Sequence, residues 1–404
     1  MSDIHLLTGS VVLPDETIMS GAVVLEGEVI TWVGQEAELP EEYADLPRVA
    51  AGAGGYILPG LIDVHCHGGG GASFPDSLTI ADVEQAANEH LKYGTTTLVA
   101  SLVTAAIPVL EERANLLADA VEAGIIQGIH YEGPFLSEAR CGAQNPAFLV
   151  PATPTDAKKL VEAGRGHAVS ITLAPERCLD DDGREAVRLL VEGGILPSWG
   201  HSDCTVSQAN EAVELGVELL AKNRIRGGRA TVTHLFNGMP PMHHRSPGPV
   251  PALLSSAQDG EIIAEMICDG VHLDPLLVTE VAQIVGRDNA VFVTDSMAAA
   301  GMADGDYVLG PNAVTVADGV ARLTEGGNLA GGTSHIMDQV RIAVVDGGIP
   351  LADAVYMASK QGAKVLGLED RGEIKVGLRA DILVASGDLH PVRVFRNGAS
   401  VVAQ

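Results

Sequence analysis

The sequence is short of paired cysteines, basic side chains and long apolar runs, and each shortage excludes a class of protein. No apolar run is long enough to span a bilayer, and residues 1–5 lack the basic start and apolar core of a signal peptide. The cysteines form no Cys-x-x-Cys pair, which predicts reduced thiols at Cys66, Cys141, Cys178, Cys204 and Cys268. These shortages predict a cytoplasmic protein with no membrane partner.

Positive charge is scarce, because 53 acidic residues face 25 basic ones and the formal net charge is −28. Nucleic acid and anionic membranes are therefore excluded as partners, since both would be repelled. A small anionic substrate stays compatible with this charge if a local cluster of positive side chains offsets the overall field. The sequence should contain one such cluster.

The two ends of the chain are rich in strand patterns and the middle is not. Short strands with turns are predicted at 10–13, 21–30, 372–377, 380–384 and 392–398. We therefore predict one small β-sandwich domain built from residues 1–55 and 368–404. It would flank a central catalytic domain of residues 56–367.

The central domain alternates apolar strands with amphipathic helical segments. Eight strands are predicted, at 61–67, 95–100, 125–132, 168–174, 195–201, 230–235, 262–269 and 290–295. Near-continuous apolar strands, each followed by a crossover, indicate a closed parallel (β/α)₈ TIM barrel. The glycine-rich residues 303–328 interrupt this pattern and are predicted to form a hairpin insertion.

The first predicted barrel strand ends in His65-Cys66-His67, followed by glycines at 68–71. Alternate residues of a strand share a face, so His65 and His67 point the same way and Cys66 points the other way. Two imidazoles on one face suit a divalent metal. Taken alone, the pair is equally compatible with two hydrogen-bonded core histidines.

Four other predicted strands also end in metal-binding or proton-transferring residues, namely Glu132, His201, His234 and Asp295. Each alone could be a helix cap or a buried polar residue. At matching ends of barrel strands they predict one metal site, because such barrels carry their chemistry there. Imidazoles with a carboxylate favour Zn²⁺ or a neighbouring first-row ion over Mg²⁺ or Ca²⁺. Asp295 could act as the base for metal-assisted hydrolysis.

Motifs along essentially the whole chain resemble those of the amidohydrolase superfamily, at residues 59–67, 132–136, 145–146, 173–176, 200–202, 233–240, 269–272, 294–295 and 329–331. The resemblance implies hydrolysis of N-acetyl-D-glucosamine 6-phosphate to D-glucosamine 6-phosphate and acetate. It implies that Glu132, His201 and His234 hold a principal cation. His65 and His67 would share Glu132 to hold a second one. Zn²⁺ is expected, with Fe²⁺, Mn²⁺ or Co²⁺ as alternatives, at one or two ions per subunit.

The resemblance also assigns the cluster of positive charge, at His243-His244-Arg245. A guanidinium binds phosphate through paired hydrogen bonds, although without the flanking motif this segment would be interpreted as a solvated loop. In the family this arginine reaches the site of the neighbouring subunit, which implies a homodimer. Further substrate contacts are implied for Ala143, Asn237, Gly238, His272 and Leu329.

One position departs from the family pattern, because members commonly carry a histidine where this chain has Gln144. Glutamine can donate a hydrogen bond but cannot become cationic. Either polarisation of the substrate carbonyl falls more heavily on the metal, or Cys141 in the same loop contributes to substrate contact.

Other functions stay open at this point. The substrate could be N-acetylgalactosamine 6-phosphate, or another acylated amine or cyclic amide. Relatives that open cyclic amides bridge two metals with a lysine after strand four, whereas this strand ends Leu173-Ala174-Pro175-Glu176. A scaffold without catalysis should have lost ligands or the base, and this chain keeps them.

Overall fold

The protein is described by a computed structural model that covers residues 4–401. Eight parallel strands form the central sheet, and each strand pairs with the one before it in the chain. Every position of these strands is buried, since helices cover the outer face of the barrel. Strands one to eight of the barrel are Leu61–Cys66, Thr95–Leu102, Gly128–Glu132, Ala168–Leu173, Leu196–Trp199, Ala230–Val232, Ile262–Met266 and Ala290–Phe292.

One helix follows each of strands one to seven, and three helices end the barrel domain. Threonine is the N-cap of several of them. Thr79 and Thr205 each form a reciprocal capping box with the residue three positions later, Asp82 and Gln208. No helix within residues 4–401 is both long and apolar enough to cross a membrane. The helices are Ile80–Lys92, Ile107–Glu122, Pro154–Gly164, Asp181–Glu192, Val206–Asn223, Val250–Gln258, Pro275–Val285, Ile336–Val345, Leu351–Ala358 and Lys360–Leu366.

Several barrel strands are shorter than the sequence predicted. Strand three begins at Gly128 rather than residue 125, and strands five, six and eight end at Trp199, Val232 and Phe292. Strands five, six and eight end early because the backbone turns after them: His201, His234 and Asp295 have φ of 46°, 28° and 49°. This left-handed region ends a strand and costs about 1–3 kcal/mol at a residue other than glycine. These three candidate site residues therefore lie just beyond their strands.

The second large sheet takes its strands from both ends of the chain. Its order is Ala399–Val401, Pro391–Arg396, Ile382–Ala385, Tyr56–Pro59, Ile4–Val12, Thr17–Glu26 and Val29–Gln35, with Arg48–Ala50 also pairing with Ile4–Val12. Its own core contains Leu7, Leu25, Ile57, Ile382 and Phe395. The predicted fold class, a (β/α)₈ barrel with a small β domain from both termini, is confirmed. The division at residues 55/56 and 367/368 stays a prediction.

A three-stranded antiparallel sheet follows strand eight, within the predicted insertion. Its strands are Gly305–Leu309, Asn312–Ala317 and Val320–Leu323. Leu309 and Val314 pack with Val103, which follows barrel strand two, and with Met297. The insertion therefore stands at the mouth of the barrel where the strands end.

Candidate metal centre

Six of the candidate residues form two groups that share the Glu132 carboxylate, with one group at each of its two oxygens. Glu132 Oε1 lies 2.9 Å from His201 Nε2 and 2.9 Å from His234 Nε2. These two nitrogens are themselves 3.1 Å apart. Ligands of a tetrahedral Zn²⁺, bonded at 2.0–2.2 Å, lie roughly 3.3 Å from one another. The three atoms therefore fit three corners around one cation.

The second group contains the histidine pair from strand one. His65 Nε2 lies 3.1 Å from His67 Nε2, which lies 3.1 Å from Glu132 Oε2. Asp295 Oδ1 lies 3.2 Å from His67 Nε2 and 3.6 Å from His65 Nε2. These spacings again match corners of a small coordination shell, and Glu132 belongs to both groups.

Hydrogen bonding alone does not account for these contacts. Two imidazole nitrogens 3.1 Å apart can share one proton, yet His201 and His234 face each other and also face the same carboxylate oxygen. All five side chains of this metal-ligand set are at most 5% exposed as residues. The donor set of four imidazoles and shared carboxylate suits Zn²⁺ or a neighbouring first-row ion. The residues present therefore fit a divalent metal.

The electrostatics of the site favour positive charge. Burial acts to lower the pKa of His67, but Asp295 and Glu132 raise it to about 10. Burial acts to raise the pKa of Glu132, yet the contacts with His201, His234 and His67 hold it well below its usual value. Asp295 also has a pKa below its usual value, because its contacts with His67 and His65 outweigh burial. A cation would supply the positive charge that protons otherwise supply.

The outer nitrogens of three histidines are held by further hydrogen bonds. His201 Nδ1 lies 2.8 Å from the carbonyl oxygen of Arg140, and His67 Nδ1 lies 3.2 Å from that of Ser101. Each carbonyl oxygen accepts a hydrogen bond from Nδ1–H, so the proton stays on Nδ1 and the Nε2 lone pair is free for a metal. His65 Nδ1 faces a carboxylate instead, at 3.2 Å from Glu265 Oε2.

Glu265 is a residue of the site that sequence reasoning missed. It is buried on barrel strand seven, where it also accepts hydrogen bonds from the Thr231 hydroxyl at 2.9 Å and the His234 amide at 3.3 Å. The signal in the sequence was a lone acidic residue within the apolar run at 262–266. A buried carboxylate requires partners, but the sequence does not identify them.

A cavity of about 250 Å³ opens over the candidate metal ligands. Its lining includes the predicted residues His67, Glu132, Ala143, Gln144, His201, His234, Asn237, Gly238, His272, Asp295 and Leu329. His65 lies beneath it and is fully buried. Gly142, Leu309, Asn328 and Gly331 also line it and were not predicted. The insertion after strand eight contributes Leu309, so it forms one wall.

Two predicted substrate contacts lie outside the lining of this cavity. Arg245 is exposed on the loop between His234 and the helix Val250–Gln258. Cys141 is half-buried in the loop that carries Ala143 and Gln144, and burial raises the pKa of its thiol. The roles of both residues stay predictions.

His272 lies beside the candidate base. Its Nε2 is 4.0 Å from Asp295 Oδ2, and its Nδ1 is 2.7 Å from Asp269 Oδ2. Burial acts to lower the pKa of His272, but Asp269 raises it above its usual value. The pair gives the cavity a hydrogen-bond donor directed toward its interior.

The chain is similar to a known protein family and to several proteins over most of its length. A family model described as the amidohydrolase family matches residues 56–196 and 212–401. The N-acetylglucosamine-6-phosphate deacetylase of Bacillus subtilis (strain 168) is 31% identical over 96% of this chain and 94% of its own length. The N-acetylgalactosamine-6-phosphate deacetylase of Escherichia coli O157:H7 is 29% identical over 85% of this chain and 86% of its own. A mutant N-acetyl-D-glucosamine-6-phosphate deacetylase of Mycobacterium smegmatis, solved with N-acetyl-D-glucosamine-6-phosphate, is 36% identical with a TM-score of 0.89, over 99% of this chain and 100% of that one.

Proposed function

The chain belongs to the amidohydrolase family, and we propose that it hydrolyses N-acetyl-D-glucosamine 6-phosphate to D-glucosamine 6-phosphate and acetate. The observation that carries this proposal is the convergence of two histidine pairs on Glu132, with Asp295 beside them at the barrel mouth. Relatives and solved structures named as deacetylases of this sugar phosphate, similar over nearly the whole chain, support it. The reaction belongs to the breakdown and recycling of amino sugars.

The cation is proposed to be Zn²⁺, with Fe²⁺, Mn²⁺ or Co²⁺ as alternatives, because four imidazoles and a shared carboxylate suit these ions. Glu132, His201 and His234 would hold the principal ion. His65 and His67 would hold a second one with the other oxygen of Glu132. When bound, the metal would supply Lewis-acid chemistry that lowers the pKa of water to about 7 and polarises a carbonyl.

Asp295 is proposed as the proton carrier. Its low pKa keeps the carboxylate ionised at neutral pH, so it can accept the proton of the attacking water. It would then return that proton to the amine nitrogen that leaves. His272 faces the same carboxylate, with Nε2 4.0 Å from Asp295 Oδ2, and would donate a hydrogen bond to the substrate within the cavity. The backbone at Asn237 and Gly238 would bind the sugar phosphate close by.

Arg245 is proposed to bind the phosphate of the substrate in the site of a neighbouring subunit. The protein would then be a homodimer. The Arg245 guanidinium is exposed and lies outside the lining of its own cavity, as an arginine that serves another chain should. Met242 in the same loop is 61% exposed, and Val271 next to His272 is 42% exposed. Such apolar side chains near the mouth suit a covered surface between subunits.

The cytoplasm is the proposed compartment, since all five cysteines are free thiols and four of them are buried. Reduced thiols are typical of proteins kept in a reducing compartment.

The test measures acetate release from N-acetyl-D-glucosamine 6-phosphate, N-acetyl-D-galactosamine 6-phosphate and unphosphorylated N-acetyl-D-glucosamine. We expect the highest kcat/KM on the first substrate. N-acetyl-D-galactosamine 6-phosphate is the alternative substrate, because the relative from Escherichia coli is named as its deacetylase. A higher kcat/KM on this substrate would assign the protein to it instead. Hydrolysis of a cyclic amide or an acyl amino acid without activity on either sugar phosphate would contradict the proposal.

A further inference from the structure

Gln144 occupies the position where the family commonly has a histidine, and its carboxamide is already bound at both ends. Its Oε1 accepts a hydrogen bond from the Thr104 backbone amide at 2.7 Å. Its Nε2 donates to Glu132 Oε2 at 2.5 Å. The Thr104 amide can only donate, so it fixes which end of the carboxamide faces the metal centre. Gln144 is 6% exposed, so both of these hydrogen bonds are shielded from solvent.

The partner of Gln144 is the oxygen of Glu132 that faces the second histidine pair. Oε2 lies 3.1 Å from His67 Nε2, while Oε1 faces His201 and His234. A carboxylate without this contact could rotate and offer both oxygens to one cation. The hydrogen bond from Gln144 holds one oxygen toward each group. Thr104 supports the same arrangement, because its hydroxyl donates to the Glu132 carbonyl oxygen at 3.0 Å.

The loop that carries Gln144 is held by the insertion after strand eight. Asn312 Nδ2 donates to the Ala143 carbonyl oxygen at 2.8 Å, and Asn328 Nδ2 donates to that of Gly142 at 3.2 Å. The Gln144 amide closes a turn with the Cys141 carbonyl oxygen at 2.8 Å. Hydrogen bonds thus run from Asn312 through the loop backbone to Gln144 and Glu132.

We propose that Gln144 is a positioning residue that fixes Glu132 as a bridge between two cations, rather than a residue that contacts the substrate. The chain is then built to hold two ions, and the second site, at His65 and His67, depends on Gln144. The insertion strengthens this site from outside, since Asn312 anchors the loop. The substrate carbonyl receives no hydrogen bond from position 144.

The test titrates the metal-free protein with Zn²⁺ and follows binding by calorimetry. Wild type should bind two equivalents per chain, one for each donor group. Gln144→Met, which keeps the length and removes both hydrogen bonds, should weaken the second site about 10- to 100-fold and the first less than about threefold. Asn312→Ala should weaken the second site in the same direction by a smaller factor. Asn115→Ala, on an exposed helix face, is the matched control.

This role of Gln144 rests on the metal centre of the proposed function. The test therefore has separate outcomes for a failure of the inference and for a failure of the proposed function. If Gln144→Met binds Zn²⁺ at both sites as tightly as wild type but has a raised KM for the sugar phosphate, Gln144 contacts the substrate and the inference is overturned. Equal weakening at both sites, or a wild type that binds a single ion, would overturn it as well. A wild type that binds no ion would contradict the proposed function itself. Unfolding curves of each metal-free variant check that it folds.

Discussion

The backbone amide of Asp295 donates a hydrogen bond to the carbonyl oxygen of His65 at 2.9 Å. This contact, with a second one from the His67 amide to the Ser296 carbonyl oxygen at 2.7 Å, joins the end of strand eight to the end of strand one. The same two hydrogen bonds therefore close the barrel and bring the candidate base Asp295 next to the histidine pair. Asp295 reaches His67 Nε2 at 3.2 Å because the backbone brings the two ends together.

The first prediction concerns Asp295 as proton carrier. Asp295→Asn keeps the shape of the side chain but removes its ability to accept a proton, so kcat should fall by about 10²- to 10⁴-fold. Acetate release measures kcat, and elemental analysis measures the bound metal, which should be retained at His201 and His234. Asp259→Asn, at an exposed helix end, serves as control. A kcat within a factor of about three of wild type would remove Asp295 from the chemistry.

The second prediction concerns Glu265, whose carboxylate orients His65. Glu265→Gln keeps an acceptor but removes the charge, so affinity for Zn²⁺ at the His65 and His67 site should fall about 10-fold or more. Competition with a chromophoric chelator measures this affinity. Glu261→Gln, four residues away on the same segment and exposed, should bind as wild type does. Identical affinities in the two variants would show that Glu265 is only a core residue.

The third prediction tests whether Arg245 serves the neighbouring subunit. A heterodimer of one Arg245→Ala chain and one Asp295→Asn chain is purified through two different tags. If Arg245 acts across the interface, one of its two sites is complete and it should show about half of wild-type activity on the sugar phosphate. If Arg245 acts within its own chain, both sites are defective and activity should match the mean of the two mutant homodimers. A monomer in solution would contradict the proposal directly.

The fourth prediction concerns stability away from the metal. His335 Nε2 lies 3.3 Å from Glu89 and Nδ1 lies 3.2 Å from Asp338, and its ring stacks on Tyr93 with centroids 3.6 Å apart. Burial acts to lower the pKa of His335, but Asp338 and Glu89 raise it above its usual value of 6.5. The contact with His335 lowers the pKa of Glu89, and burial acts to raise the pKa of Asp338 but the contact with His335 lowers it.

The raised pKa of His335 gives stability that is complete below about pH 6.5 and is lost as the pH rises through its folded-state pKa. The lowered pKa values of the carboxylates give stability that is lost as the pH falls below about 4. The midpoint of thermal unfolding of His335→Gln, at fixed metal, should therefore lie furthest below wild type between about pH 5 and 6.5. A difference that grows steadily toward alkaline pH would contradict this assignment.

Much of the site could be predicted because its ligands interrupt apolar runs. His65, Glu132 and His234 stand where a buried strand stops, and barrel architecture brings all such stops to one mouth. The left-handed backbone at His201 and Asp295 was not predicted, since no propensity favours φ above zero for these residue types in a strand. The predicted strands consequently ran two to three residues too far.

Contacts between segments distant in the chain could not be predicted from the sequence. Glu265 and His65 are 200 positions apart, and their pairing depends on the order of strands around the barrel. Gln144 could be identified as a departure from the family pattern, but its partner depends on the path of a loop. The Thr104 amide that fixes its orientation lies 40 positions away. Such pairings follow from the closed fold rather than from any local pattern.

The most direct test of the account follows acetate release from N-acetyl-D-glucosamine 6-phosphate as Zn²⁺ is removed by a chelator and then restored in measured steps. We predict that the metal-free protein stays folded but inactive, and that kcat returns in proportion to the metal bound at Glu132, His201 and His234. Full activity in protein whose metal content has been driven close to zero would contradict the account.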